Sequence, residues 1–226
     1  MSRSRGLLIA SLLLAASLPA QEGSHPNTQI VILENEFVRV VDIRVPPGVF
    51  EPEHSHARGV TIAMSDYDNE TKSIPDGKIG RGHTKFGEVK WVEPVTHEAR
   101  NTGTTEQHVI RIELKKDAPP AGRSATPDPL DALVICKDTQ KLLFENAYVR
   151  AIEDRAPAGS ATAKHTHKRG LLVQLSDYDS ETTTWPDGKI SRTHATAGGV
   201  NWSEPVMHEV KNIGATATYA IRIEVK

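Results

Sequence analysis

Apolar residues along this chain either alternate with polar ones or gather in short β-rich runs. Phe37–Val38–Arg39–Val40–Val41, Gly59–Val60–Thr61–Ile62–Ala63–Met64 and the stretch from His108 to Leu114 are examples, and this is the pattern of strands. Turn clusters punctuate them: Pro46–Pro47–Gly48, Pro75–Asp76–Gly77 and Asn101–Thr102–Gly103, where glycine and proline supply the backbone angles that strands cannot. Beyond the N-terminal apolar run, no segment sustains a helical period. Short strands at near-regular spacing, with turns between, predict an all-β fold built as a sandwich or closed barrel.

The pattern occurs twice. A shift of 111 residues carries His54, His56 and His97 onto His165, His167 and His208 (54 + 111 = 165). The same shift matches Asn35–Val38–Arg39 with Asn146–Val149–Arg150, and Ser65–Asp66–Tyr67–Asp68 with Ser176–Asp177–Tyr178–Asp179. It matches Pro75–Asp76–Gly77–Lys78 with Pro186–Asp187–Gly188–Lys189, and Ile110–Arg111–Ile112–Glu113 with Ile221–Arg222–Ile223–Glu224. From Glu34/Glu145 to Lys115/Lys226 no gap is needed and about half of the positions are identical. A repeat this long exceeds a solenoid unit and marks a duplicated domain. Units this small are marginal alone, so the halves are expected to bury a face against each other.

The division expected is a signal peptide at 1–20, a first barrel at 28–116, a linker at 117–129 and a second barrel at 130–226. Arg3 and Arg5 precede an apolar run from Leu7 to Ala16, and Leu18–Pro19–Ala20 offers a small residue for cleavage. That is the layout of a secretory signal, too short to span a bilayer. The expectation is a periplasmic or secreted protein with no stable membrane insertion after cleavage. The linker is rich in Pro, Ala, Asp and Gly. Leu130 to Cys136 has no counterpart in the first copy and reads as an added edge strand. The formal net charge of −2 gives no basic field for nucleic acid. Cys136, the single cysteine, has no partner for an internal disulfide and reads as a buried small hydrophobe.

The chemistry lies in the histidines. Residues i and i+2 of a strand share a face, so His54 and His56 point together, as do His165 and His167. His97 and His208 would arrive from another strand. Three neutral imidazoles at one point are what a divalent metal needs.

These residues resemble the cupin superfamily. Its first motif is glycine, five residues, then His-x-His; here Gly48 precedes His54–Ser55–His56 and Gly159 precedes His165–Thr166–His167. Its second ends in histidine, three residues, asparagine; here His97 precedes Asn101 and His208 precedes Asn212. The resemblance covers both copies and implies a bicupin, two tandem jelly-roll β-barrels with a metal site in each mouth. It makes His54, His56, His97, His165, His167 and His208 the metal ligands. Most metal-binding cupins add a glutamate soon after His-x-His, where this chain has Val60 and Thr61 in one copy and Leu171 and Leu172 in the other. Cupins with three histidines and no glutamate include dioxygenases that hold iron(II). Without the carboxylate the site keeps a charge of +2, which favours an anionic small-molecule ligand.

Other residues receive blander readings. His83 and His194 read as exposed loop histidines, and Glu93 and Glu204 as rim carboxylates. Trp91 and Trp202 are assigned to a core or to the seam between barrels. Arg39/Arg150 and Arg111/Arg222 are read as surface or interface ion-pairing residues. Val60, Ile62 and Met64, with Leu171, Val173 and Leu175, are expected to form apolar walls inside the barrels. Two functions stay open. One is an exported metal enzyme, an iron(II) dioxygenase-like oxidoreductase acting on a small organic acid or phenolic compound. The other is a non-catalytic metal or small-ligand binding module. The metal (Fe, Mn, Ni, Cu or Zn), the catalytic residues and homo-oligomerisation are not fixed by the sequence.

Overall fold

A computed structural model describes residues 28–115 and 128–226. The signal segment and most of the linker lie outside these residues. The first copy runs β1 (Gln29–Glu34), β2 (Val38–Val45), β3 (Phe50–His56), β4 (Gly59–Ala63), β5 (Tyr67–Ser73), β6 (Ile79–Thr84), β7 (Val89–Val92), β8 (Val95–Asn101) and β9 (Gln107–Leu114). After a short helix α1 (Ala132–Ile135), the second copy repeats the series. It runs β10 (Gln140–Glu145), β11 (Val149–Asp154), β12 (His165–His167), β13 (Gly170–Gln174), β14 (Tyr178–Trp185), β15 (Lys189–Ala195), β16 (Val200–Ser203), β17 (Val206–Asn212) and β18 (Ala220–Val225).

Each copy folds into a five-stranded sheet facing a four-stranded one. The orders are β1-β2-β9-β4-β7 with β3-β8-β5-β6, and β10-β11-β18-β13-β16 with β12-β17-β14-β15. Under the 111-residue shift the two topologies are the same. All-β tandem jelly-roll barrels are therefore what the alternating pattern produces. The segment read as an edge strand, Leu130 to Cys136, is instead mostly α1. Asp131 caps it, its side chain accepting from the Leu133 amide at 3.0 Å. An N-cap carboxylate satisfies an amide the first helical turn would leave orphaned, and that local bond outweighs the β-rich composition.

The central strands of the five-stranded sheets, β4 and β9 with β13 and β18, are buried on both faces. Val38, Val40, Val60, Ile62, Ile110, Ile112 and Leu114 of the first copy join Val149, Ala151, Leu171, Val173, Leu175, Ile221, Ile223 and Val225 of the second in one apolar core. At roughly 1.5–3 kcal/mol for each large aliphatic side chain removed from water, this seam is what makes two small barrels stable together. Its rims repeat the internal symmetry. Phe37 stacks on Trp202 with ring centroids 5.4 Å apart, and Trp91 on Tyr148 at 5.3 Å. Arg58 lies over Tyr148 and hydrogen-bonds its hydroxyl, and Arg169 lies over Phe37. The tryptophans thus occupy the seam, as the sequence suggested.

The seam corrects another reading. Val60, Ile62, Leu171, Val173 and Leu175 point between the barrels, not into them. Their neighbours Thr61 and Leu172 take the inner face.

Close approach of β4 to β9 requires glycine at its start. A Cβ on Gly59 would lie 1.9 Å from the Ile112 carbonyl oxygen, and one on Gly170 2.0 Å from that of Ile223. Both obstacles are backbone, which cannot swing away. We expect Gly170→Ala to cost about 3 kcal/mol or more through overpacking, read as a fall in the urea midpoint; an unchanged midpoint would contradict the register described here.

Candidate metal centre

The second sheet of each barrel carries the histidines inward. A turn at Gly48, with φ +77°, leads into β3, and its counterpart Gly159 has φ +74°. This left-handed conformation suits glycine. Pairing of β3 with β8 sets His54 directly opposite His97, and pairing of β12 with β17 sets His165 opposite His208. His56 and His167 follow two residues on, on the same face. The three rings of each triad have centroids 4.6–5.5 Å apart. One nitrogen from each ring lies within 4.8 Å of the other two. All six predicted ligands are therefore brought together, three to a barrel.

Hydrogen bonds fix which nitrogen faces the centre. His54 Nδ1 lies 2.7 Å from the Pro52 carbonyl oxygen, and His165 Nδ1 lies 2.8 Å from that of Ala163. A carbonyl only accepts, so Nδ1 carries the proton and Nε2 presents a lone pair. His56 Nδ1 donates to Glu113 Oε1 at 2.8 Å, and His167 Nδ1 to Glu224 Oε1 at 3.1 Å. The His54 and His97 Nε2 atoms are 3.1 Å apart, as are those of His165 and His208. Lone pairs held this close repel unless a proton or a cation lies between them. Carboxylate- and carbonyl-oriented imidazoles converging on one point fit a divalent transition metal.

Glu113 and Glu224 were not singled out from the sequence. Both are buried and stand two residues after Arg111 and Arg222 on the inner face of β9 and β18. Arg111 Nε donates to Glu113 Oε1 at 3.3 Å. Arg150 donates to Glu224 at 2.7 Å and to Asp131 at 2.8 Å. Burial works to raise the Glu113 carboxyl, but the His56 hydrogen bond and the nearby Arg111 and Arg39 hold it below the usual carboxylate range. Arg111, Arg150 and Arg222 are 5%, 8% and 5% exposed. All four arginines form the ion pairs expected of them; three do so in the barrel interior and not at the surface, and Arg39 is the more exposed one. Burial draws Arg222 down to about 10, which leaves it a cation at neutral pH.

The other candidates lie outside the triads. His83 and His194 are exposed and pair with Asp68 and Asp179 at 2.9 and 2.8 Å. Glu93 and Glu204 accept from the indole nitrogens of Trp91 and Trp202, so they are rim groups. In the second barrel the triad opens onto a cavity of about 120 Å³, lined also by Gln140, Asp154, Leu172, Tyr178 and Arg222. Burial raises the Asp154 carboxyl to about 6, with Arg222 pulling the other way. Cys136 is buried, and burial with the nearby Asp154 charge pushes its thiol up to about 11. A thiol this protonated is a poor nucleophile. Cys136→Ser should leave metal content unchanged, and the native thiol should react slowly with a disulfide reagent at pH 8; fast labelling of folded protein would contradict its burial.

Burial, then neighbouring imidazole and arginine charge, hold His97 down at about 4 and His208 at about 3. His56, His165 and His167 are lowered as well. The folded values lie below the ordinary 6.5, so at mildly acid pH the unfolded chain binds more protons than the native one. Stability therefore falls as pH drops from about 6.5 towards 3. Metal-free protein should show a urea midpoint that declines steadily from pH 7 to pH 4; a flat profile would contradict the buried, neutral triads.

No family model and no curated protein matches the sequence. Solved structures match the fold. The chain superposes on a cupin 2 conserved barrel domain protein from Leptotrichia buccalis with TM-score 0.53 and 12% identity, covering 88% of each chain. It superposes on the Lactobacillus farciminis oxalate decarboxylase in its formate complex with TM-score 0.58 and 12% identity, covering 86% of this chain and 79% of that one. A salicylate 1,2-dioxygenase variant from Pseudoaminobacter salicylatoxidans gives TM-score 0.54 and 10% identity, covering 83% and 71%. The doubled sheet pair, the in-turned histidines and these superpositions agree: by fold, this chain is a bicupin.

Proposed function

We propose that this protein is an exported bicupin that binds a divalent transition metal at each histidine triad and acts as an iron(II) dioxygenase-like oxidoreductase on a small organic acid or phenolic compound. The observation that carries the reading is the orientation of the imidazoles. Hydrogen bonds to Pro52, Ala163, Glu113 and Glu224 leave Nε2 lone pairs aimed at one point in each barrel. His54, His56 and His97 would hold one metal, and His165, His167 and His208 the other. A metal bound there supplies a Lewis-acidic, redox-capable centre with positions left for a ligand.

The protein's own groups do the rest. Glu113 and Glu224 hold the tautomers and offset the arginine charges. In the second barrel, Arg222 places a guanidinium in the cavity wall that can meet the acceptor end of a ligand, and the seam shields the sheet behind it from water. Several neighbours of the same fold act on small acids, namely oxalate and salicylate by their names. That likeness supports the fold, and the substrate class rests on the site. The basic and apolar segment before residue 21 supports export.

Oxygen uptake tests the reading. Iron(II)-loaded protein should consume dioxygen with at least one member of a panel of small organic and phenolic acids. His54→Ala/His56→Ala/His165→Ala/His167→Ala, which removes both triads, should abolish that uptake. Iron-loaded wild-type protein that consumes no oxygen with any acid would contradict the enzymatic assignment.

A further inference from the structure

The two barrels have kept the same triad but not the same interior. In the first, Ile43, Val45 and Val109 close into an apolar cluster with Val41, Ala63 and Tyr67. The matching positions of the second are Asp154, Ala156 and Ala220 (43 + 111 = 154), and there the cavity opens. Two alanines in place of two valines remove side-chain volume, and a carboxyl replaces a butyl group. The first barrel also buries a carboxylate, Glu51, which accepts from Thr28 and Gln29. Its counterpart in the second is Thr162, so there the carboxyl has moved to Asp154 and the smaller side chains leave room that a well-packed interior lacks.

The cavity wall is chemically incomplete. Arg222 donates from Nη2 to Lys168 O at 3.0 Å and to Ser203 Oγ at 2.8 Å; its buried Nε finds no hydrogen-bond partner among the described residues and faces Glu224 Oε1 only at ion-pair distance, 3.8 Å. Gln140 gives Asp154 Oδ2 a long bond of 3.5 Å through Nε2, and its buried Oε1 has none. Buried polar groups are normally satisfied, and a bare one is destabilising until something pairs with it. A guanidinium N–H without a hydrogen bond near the histidines and an unpaired acceptor beside a carboxyl specify the complement. It is a ligand with an acceptor or anionic end and a hydroxyl or amine donor. Size narrows it further. A dry cavity of about 150 Å³ takes benzene, so about 120 Å³ suits a molecule smaller than an aromatic ring.

We infer that the second barrel alone holds the organic ligand, and that Asp154, Gln140 and Arg222 select a small 2-hydroxy or 2-amino acid over both simple carboxylates and aromatic acids. The inference rests on the metal-binding bicupin reading and narrows its substrate class. It makes the first barrel a metal site without an organic ligand.

Calorimetric titration with glycolate, acetate and benzoate tests it, alongside elemental analysis of the same samples. Glycolate should bind at one per chain although there are two triads, and acetate, lacking the hydroxyl, should bind about tenfold more weakly or worse. Benzoate should not compete. Ala156→Val/Ala220→Val, which copies the first barrel, should lose glycolate with metal content and circular dichroism unchanged. Asp154→Asn should weaken glycolate about tenfold without affecting the metal, and serves should the valine pair misfold. Two glycolates per chain, none, equal affinity for acetate, or full binding in folded Asp154→Asn would overturn the inference. Metal-free wild-type protein would instead count against the metal reading, while the glycolate stoichiometry still decides the pocket.

Discussion

Glu224→Ala should cost the second barrel about 3–5 kcal/mol, the penalty for leaving buried charge without its partner. Glu224 is fully buried. It accepts from His167 Nδ1 at 3.1 Å, from the Lys168 amide at 3.2 Å and from Arg150 at 2.7 Å. Its removal strips a donor partner from a metal-facing imidazole and leaves Arg150 with Asp131 alone. Losses of this size approach the whole stability of an ordinary domain. Where enough structure survives, the metal at the second triad should be held about 10–100-fold more weakly, as for other groups that orient a ligating histidine. Urea denaturation followed by two probes, with metal content measured by competition against a chelator, checks both effects. Glu224→Gln keeps the volume and one acceptor, and should fall between. A Glu224→Ala protein with native midpoint and native metal retention would mean that the carboxylate neither supports His167 nor balances the arginine.

Val60→Glu and Leu172→Glu should behave in opposite ways, though each places a carboxylate where most cupins carry one. Val60 is 0% exposed in the seam among Ile62, Ile112 and Leu171. A carboxylate there meets no partner, and burying it should cost several kcal/mol or separate the barrels. Leu172 lines the cavity that the triad of the second barrel shares. Leu172→Glu should fold, hold metal more tightly and bind anions more weakly, because a fourth ligand lowers the net charge by one and occupies an open position. Denaturation midpoints and metal retention separate the two variants. A Val60→Glu protein as stable as the parent would contradict the placement of this residue in the seam.

Much of the architecture could be read from spacing. The His-x-His alternation and the 111-residue shift located both triads, because a strand's two-residue period allows no other arrangement of His54 and His56 on a common face. What spacing could not decide was which face looks inward. A sheet exposed on one side separates polar from apolar residues, but β9 is buried on both. Ile110, Ile112 and Leu114 therefore mark the seam, and Arg111 and Glu113, which alternate with them, line the barrel. The signal for these charged residues was present in Ile110–Arg111–Ile112–Glu113. It reads as a surface pattern unless the barrels are known to pack through this sheet. The short helix α1 was hidden for a different reason: one Asp131 cap decided a segment whose composition favours strand. The difference between the interiors lies where the two copies differ, at Ile43 against Asp154, and a repeat's identities are silent on such positions.

Metal stoichiometry decides whether each triad is a metal centre. Elemental analysis of wild-type protein reconstituted in turn with Fe, Mn, Ni, Cu and Zn should find close to two ions of at least one metal per chain, one for each triad. The count should halve in His54→Ala/His56→Ala and vanish when His165→Ala/His167→Ala is added. Folded wild-type protein that retains none of these metals, or a count that stays at two in the fourfold variant, would contradict the account.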